Sequence, residues 1–166
     1  MDTPQSRKLF QAWLPALIWL SVIVVESTDA LSSTNTSRFL YPLLHFLTGM
    51  DLARFVTVHH YLRKLGHVVG YFTLSLLFFR AWKATLPAPL RAWSLQWARI
   101  SFFMSALVAT LDEWHQMYLA SRGGSMRDVL LDSSAAFAAQ LVIWVYLRRR
   151  SQSAPQCKTL TTAPGP

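Results

Sequence analysis

Apolar and polar positions alternate along this chain on a long scale. Four apolar runs, at residues 9–25, 65–82, 97–118 and 129–147, are separated by polar or basic stretches. A helix that crosses a bilayer needs about 20 predominantly apolar residues, within a range of about 17–25. Each run meets that length, so the pattern predicts an all-α polytopic membrane protein with four transmembrane helices. The first run follows Arg7 and Lys8, as the core of a signal peptide would. No small-residue cleavage site comes closely after it, so it is read as a retained span.

The first two runs are joined by a long connection, 26–64. Its start, ESTDALSSTNTSR, is polar and reads as a loop. Its second half, FLYPLLHFLTGMDLARFVTVHHYLRK, is rich in Leu, Phe and His, in pieces too short to span. That half is expected to be a short interfacial or re-entrant element within a long first outer loop. The division is then a short N-terminus at 1–8, a four-helix membrane domain at 9–147 and a tail at 148–166. From Ser151 on, the tail is polar with three prolines, a composition expected to be disordered.

Helical faces sharpen the picture. At 100° per residue, Ser105, Ala106, Ala109, Asp112, Glu113 and Gln116 share one arc of the third run. Phe103, Leu107, Leu111, Trp114 and Tyr118 share the opposite arc. Small side chains let membrane helices approach closely, so the arc with the acids should face the bundle and the large apolar arc should face lipid. In the fourth run Asp128, Asp132, Ala135, Ala136 and Ala139 share an arc, with Asp128 near the start, where an acid suits a helix N-terminus. In the second, His60, Arg63 or Lys64, His67 and Tyr71 lie on one face if the helix begins early enough. Gly66 and Gly70, four apart, are expected to permit tight packing.

Composition agrees with a membrane protein: 14% of residues are charged and 52% hydrophobic, against about 25% charged in soluble domains. The net charge of +8 does not imply a nucleic-acid partner, because the basic residues punctuate apolar runs instead of forming a stripe. Ten of the 16 Lys and Arg residues fall on the side that holds both termini in a four-span arrangement. Positive residues mark the cytoplasmic side, so both termini are expected there. All five histidines and every acid except Asp2 fall on the other side. A single cysteine, Cys157, excludes a disulfide framework and a Cys-rich metal site.

His67, Asp112, Glu113, Gln116, Arg122, Asp128 and Asp132 are thus expected within about two turns of the outer helix ends. An ionisable cluster at membrane depth is a functional-site hypothesis. The competing structural reading pairs Arg122 with Asp128 and His67 with Asp112 as glue between helices. No H-E-x-x-H zinc signature or nucleophile elbow is present. His59 and His60, with His67, His115 and the acids, offer a lesser metal-binding possibility; no metal ligand and no cofactor is assigned. Gly123 and Gly124 read as a tight turn.

The motifs K-x-x-H-x-x-x-Y (Lys64, His67, Tyr71), D-E-x-x-Q (Asp112, Glu113, Gln116) and R-x-x-S-x-x-D (Arg122, Ser125, Asp128) occur in this order on these segments. The chain in this respect resembles the VanZ family of small bacterial membrane proteins. The resemblance runs from Leu9 to Leu147. Family members usually continue with N-x-x-G, where this chain has Asp132 and Ala135.

The resemblance implies a cell-envelope theme, since the namesake is an accessory protein of glycopeptide resistance related to lowered teicoplanin sensitivity. The expected function is binding or modification of a lipid-linked or cell-wall ligand at the outer leaflet. Glu113, Asp112 and His67 are the candidate catalytic residues. Lys64, Tyr71, Gln116, Arg122, Ser125, Asp128 and Asp132 are the candidate ligand-binding residues. A lipid-linked precursor or another anionic envelope ligand is the expected partner, besides the bilayer itself. The alternatives are a proton- or cation-coupled transporter and a non-catalytic membrane scaffold.

Overall fold

A computed structural model describes residues 4–29, 32–86, 93–119 and 123–152 of the chain. They form five helices: α1 (Pro4–Ser27), α2 (Ser33–Thr48), α3 (Leu52–Thr85), α4 (Leu95–Gln116) and α5 (Met126–Gln152). α3 is the central element and packs on α1, α2, α4 and α5. Of the described helices, α1, α3 and α5 are long and apolar enough to cross a membrane. The 22 residues of α4 would also reach across, at about 1.5 Å each, but Arg99, Asp112 and Glu113 interrupt their apolar character.

The connection at 26–64 is more helical than its composition suggests. α2 already begins at Ser33, within the polar stretch expected to be a loop, and the second predicted span is extended by 13 residues at its N-terminal end. The punctuation is local. The Ser32 hydroxyl accepts a hydrogen bond from the backbone N–H of Asn35 and caps α2. Gly49 ends α2 at φ 68°, its N–H donating to the His45 carbonyl at 2.8 Å; that left-handed conformation suits a residue without Cβ. Two residues later the Asp51 carboxylate accepts from the Arg54 N–H at 3.0 Å and opens α3. The predicted tail beyond Gln152 lies outside the described residues.

The packing has small and polar side chains inside and large apolar ones outside. Ala109, Ala136 and Ala139 are fully buried, whereas Phe103, Leu107, Trp114, Leu130 and Phe137 are each more than half exposed. A helix surface of that kind suits lipid contact. The arcs read from the sequence hold for α4 and α5: Ser105, Ala109, Asp112, Glu113 and Gln116 on α4, and Asp132, Ala135, Ala136 and Ala139 on α5, are buried. The main apolar core joins Ala16 and Ile23 of α1, Tyr71, Leu74 and Phe78 of α3 and Ala109 of α4, with Trp13, Trp19 and Trp82 against it.

In the half of the bundle away from the acids, several buried polar side chains bond to a neighbouring helix or to their own. Ser75 donates to the Ala136 carbonyl at 2.9 Å, and the Gln140 amide donates to the Ser75 hydroxyl at 2.7 Å. Ser101 and Ser105 bond carbonyls four residues back. These contacts tie helices together or relieve a hydroxyl, as polar glue does. Gly66 and Gly70 do not serve the tight approach expected of them, since a Cβ at either would meet open space. The Gly70 carbonyl instead accepts the Trp19 indole N–H at 2.9 Å.

Candidate functional site

The polar side chains gather where α4 ends and α5 begins, beside the N-terminal half of α3. Because α3 starts at Leu52, one face of it carries His60, Lys64 and His67 to this level. α4 brings Glu113 and Gln116 in its last turn, and α5 brings Asp128 and Asp132 in its first two turns. Together with Arg63, Gly123, Leu131 and Ser33 of α2 they line a cavity of about 280 Å³. A larger groove of about 600 Å³ runs along the outside of α4 past Leu95, Ile100, Phe103 and Leu107. It lies on the exposed apolar arc and, apart from Gln96 and Arg99, has no polar chemistry to offer.

Four contacts organise the site. Lys64 Nζ lies 2.7 Å from Asp128 Oδ1 at the half-exposed mouth. Deeper, His67 Nδ1 lies 3.1 Å from Oδ2 of Asp132, whose side chain is wholly buried. The Tyr71 hydroxyl donates to Asp112 Oδ2 at 3.0 Å. The Ser125 backbone N–H donates to Glu113 Oε2 at 2.8 Å. This last contact places a carboxylate at the start of α5, where unpaired N–H groups and the helix dipole favour negative charge. It also tells how an acid at the end of an apolar helix is tolerated: Glu113 crosses from α4 to cap the next helix.

One pairing of the structural alternative is corrected: His67 meets Asp132 and not Asp112. Asp128 meets Lys64, and the pairing of Asp128 with Arg122 lies outside the described residues. Lys64, His67, Glu113, Gln116, Asp128 and Asp132 come together on the cavity. Asp112 and Tyr71 stand behind it, towards α1, where they line a small gap beside Gly66 and Gly70. Tyr71 is 1% exposed and meets the site through Asp112 and the His67 ring. Ser125 contributes its backbone N–H.

Ser33, His60 and Arg63 line the cavity without having been assigned to the site. The helical face of α3 carried the signal for His60 and Arg63. Ser33 required the return of α2, which the Ser32 cap and Gly49 announce. The other histidines scatter. His59 stacks on Phe55 within hydrogen-bond distance of Ser37, His115 contacts Ser27, and His45 bonds the Met50 carbonyl. A metal set built on His59 and His115 is therefore not assembled. A different group is: one ligand atom each from His67, Glu113 and Asp132 lie within 4.8 Å of one another.

A profile of the VanZ/LLP1 family matches residues 12–148, from the first turns of α1 to the last turns of α5. The chain belongs to the VanZ/LLP1 family. No curated protein and no solved structure matches it. Within the VanZ/LLP1 match lie all three motifs, and the geometry gives each a place. K-x-x-H-x-x-x-Y descends one face of α3 from the mouth of the cavity to the buried Asp112 contact. D-E-x-x-Q ends α4, and the Ser and Asp of R-x-x-S-x-x-D begin α5. Membership and the apolar helices together make this a membrane protein.

Proposed function

We propose that this VanZ/LLP1 protein binds or modifies an anionic lipid-linked or cell-wall ligand at the outer leaflet of the bacterial inner membrane. The observation that carries the reading is the cavity, which sets basic side chains of α3, Lys64 among them paired with Asp128, beside buried acids. Arg63, Lys64 and His60 stand at the α3 side, and Glu113, Gln116 and Asp132 form the interior. Cationic side chains suit a phosphate or carboxylate headgroup, and the R-x-x-S-x-x-D motif adds Arg122 to that set. Glu113 faces the ligand as acid or base, while Asp112, behind the wall with Tyr71, positions the α3–α4 contact. The family's glycopeptide-resistance theme makes a cell-wall precursor a fitting ligand.

The arrangement in the bilayer is part of the same proposal. α1, α3, α4 and α5 span, both termini are cytoplasmic, and α2 lies along the outer surface. The exposed Phe39, Leu43, Phe46 and Leu47 of α2 support that last placement. α3, at about 1.5 Å per residue over 34 residues, exceeds the roughly 30 Å hydrocarbon core. Its N-terminal turns then project with His60 and Lys64 into the headgroup region. In a Cys157→Ser background, Arg127→Cys should react with a membrane-impermeant thiol reagent added outside intact cells. Lys83→Cys should react only after permeabilisation. The reverse pattern would overturn the orientation.

The functional test compares cells that express the wild type and Glu113→Gln at equal level. Mass spectrometry is applied to envelope lipids, cell-wall precursors and ligands that copurify with the protein. The wild type should yield a modified species or a copurifying anionic lipid. Glu113→Gln should reduce a modification by about 100-fold or more, the usual scale of a lost general acid or base. If neither envelope nor purified protein differs from cells lacking it, the ligand reading fails.

A further inference from the structure

Four carboxylates, those of Asp112, Glu113, Asp128 and Asp132, stand at one level of this bundle. Tyr71 answers one oxygen of Asp112, whose Oδ1 is left without a partner among the described residues, and Lys64 answers Asp128. Glu113 and Asp132 remain facing His67 across the cavity floor. One ligand atom from each of these three residues lies within 4.8 Å of the other two. Asp132 is 0% exposed, and its Oδ1 has no hydrogen-bond partner among the described residues. A buried carboxylate oxygen without a donor is costly. A cation at this point would satisfy it.

We propose that His67, Glu113 and Asp132 form a site for a divalent transition-metal ion, Zn²⁺ or Mn²⁺, with an open coordination position facing the cavity. One imidazole and two carboxylates form a mixed N/O donor set, which suits these ions better than the all-oxygen preference of Ca²⁺. Three protein ligands with one position left open is the arrangement of reactive zinc sites. Bonds of about 2.0 Å place tetrahedral ligand atoms about 3.3 Å apart. His67 Nδ1 and Asp132 Oδ2 already lie 3.1 Å apart, so any closing movement falls to Glu113, on the cavity wall. The Ser125 N–H already orients the Glu113 carboxylate, as outer hydrogen bonds orient metal ligands.

The test uses the full chain purified in detergent, stripped with chelator and titrated with Zn²⁺ or Mn²⁺ alone. One ion per chain should bind. Asp132→Asn, which keeps the shape and removes the charge, should weaken binding at least tenfold, and His45→Asn, at the α2 end, should leave it unchanged. Binding of the wild type no tighter than that of Asp132→Asn would overturn the site. A measurement on the wild type guards against a variant that fails to fold. Pulsed EPR of the Mn²⁺-loaded protein should show coupling to an imidazole nitrogen, and its absence would also overturn the proposal. Neither readout needs an envelope ligand, so the metal site and the ligand reading stand or fall separately.

Discussion

His67→Ala is expected to destabilise the bundle by about 3 kcal/mol, towards the lower end of the range of roughly 3–5 kcal/mol for breaking a buried ion pair from one side. The variant leaves both oxygens of Asp132 without a partner among the described residues, since Oδ1 already lacks a donor and Oδ2 meets the imidazole. Asp132 is fully buried, whereas the His67 side chain is 26% exposed. The cavity therefore lets some water reach the vacated position, which favours the lower figure. Adding Asp132→Asn to His67→Ala removes the stranded charge. The double variant should recover about 2 kcal/mol of the loss, and with Asp132→Asn alone it completes a cycle that measures the coupling of the two side chains. The measurement is a denaturation midpoint in detergent with chelator present, so that no bound ion contributes. Equal stability of the single and double variants would mean that the pair does no more than fill space.

Much of this site was legible because each helix sorts its own residues by angle. Asp112, Glu113 and Gln116 had to share a face with Ser105 and Ala109, and Asp132 with Ala135 and Ala139, whatever the neighbours were. Partner choice was not legible in the same way. The spacing within one helix fixes its face but not its height against the next. The structure accordingly matches His67 with Asp132 in place of Asp112, and Asp128 with Lys64. The 26–64 connection misled for a different reason. Its Ser, Thr and Asn residues suit loops, but the same residues cap helices. Ser32, Gly49 and Asp51 are the stop and start marks of two helices. Reading them would have extended α3 towards Leu52 and placed Ser33 near the site.

The turn before α5 yields the other large effect. Gly124→Ala should cost about 3 kcal/mol, the upper end of ordinary overpacking, and should abolish ligand or metal binding. The reason is space. Gly49 is the one described glycine with positive φ, so Gly124 adopts a backbone open to any residue. A Cβ there, however, would sit 2.3 Å from the Glu113 carbonyl oxygen and 2.4 Å from Met117 Cγ. The methionine end can rotate away. The carbonyl cannot, because it belongs to the last turn of α4 and accepts the Met117 N–H at 3.2 Å. The loop must move instead, and Ser125, the next residue, donates its N–H to Glu113 Oε2. A displaced loop draws that N–H away, uncaps α5 and shifts Asp128 and Asp132 relative to His67. Gly123→Ala is the contrast, because a Cβ there meets nothing within 4 Å. It should be neutral or slightly stabilising, as Gly-to-Ala changes at compatible positions are, by up to about 1 kcal/mol. Unfolding midpoints of the two variants, with metal titration of each, separate the effects. Equal damage from both would show that the loop needs glycine for its conformation, and the close approach to Glu113 would then not be what fixes residue 124.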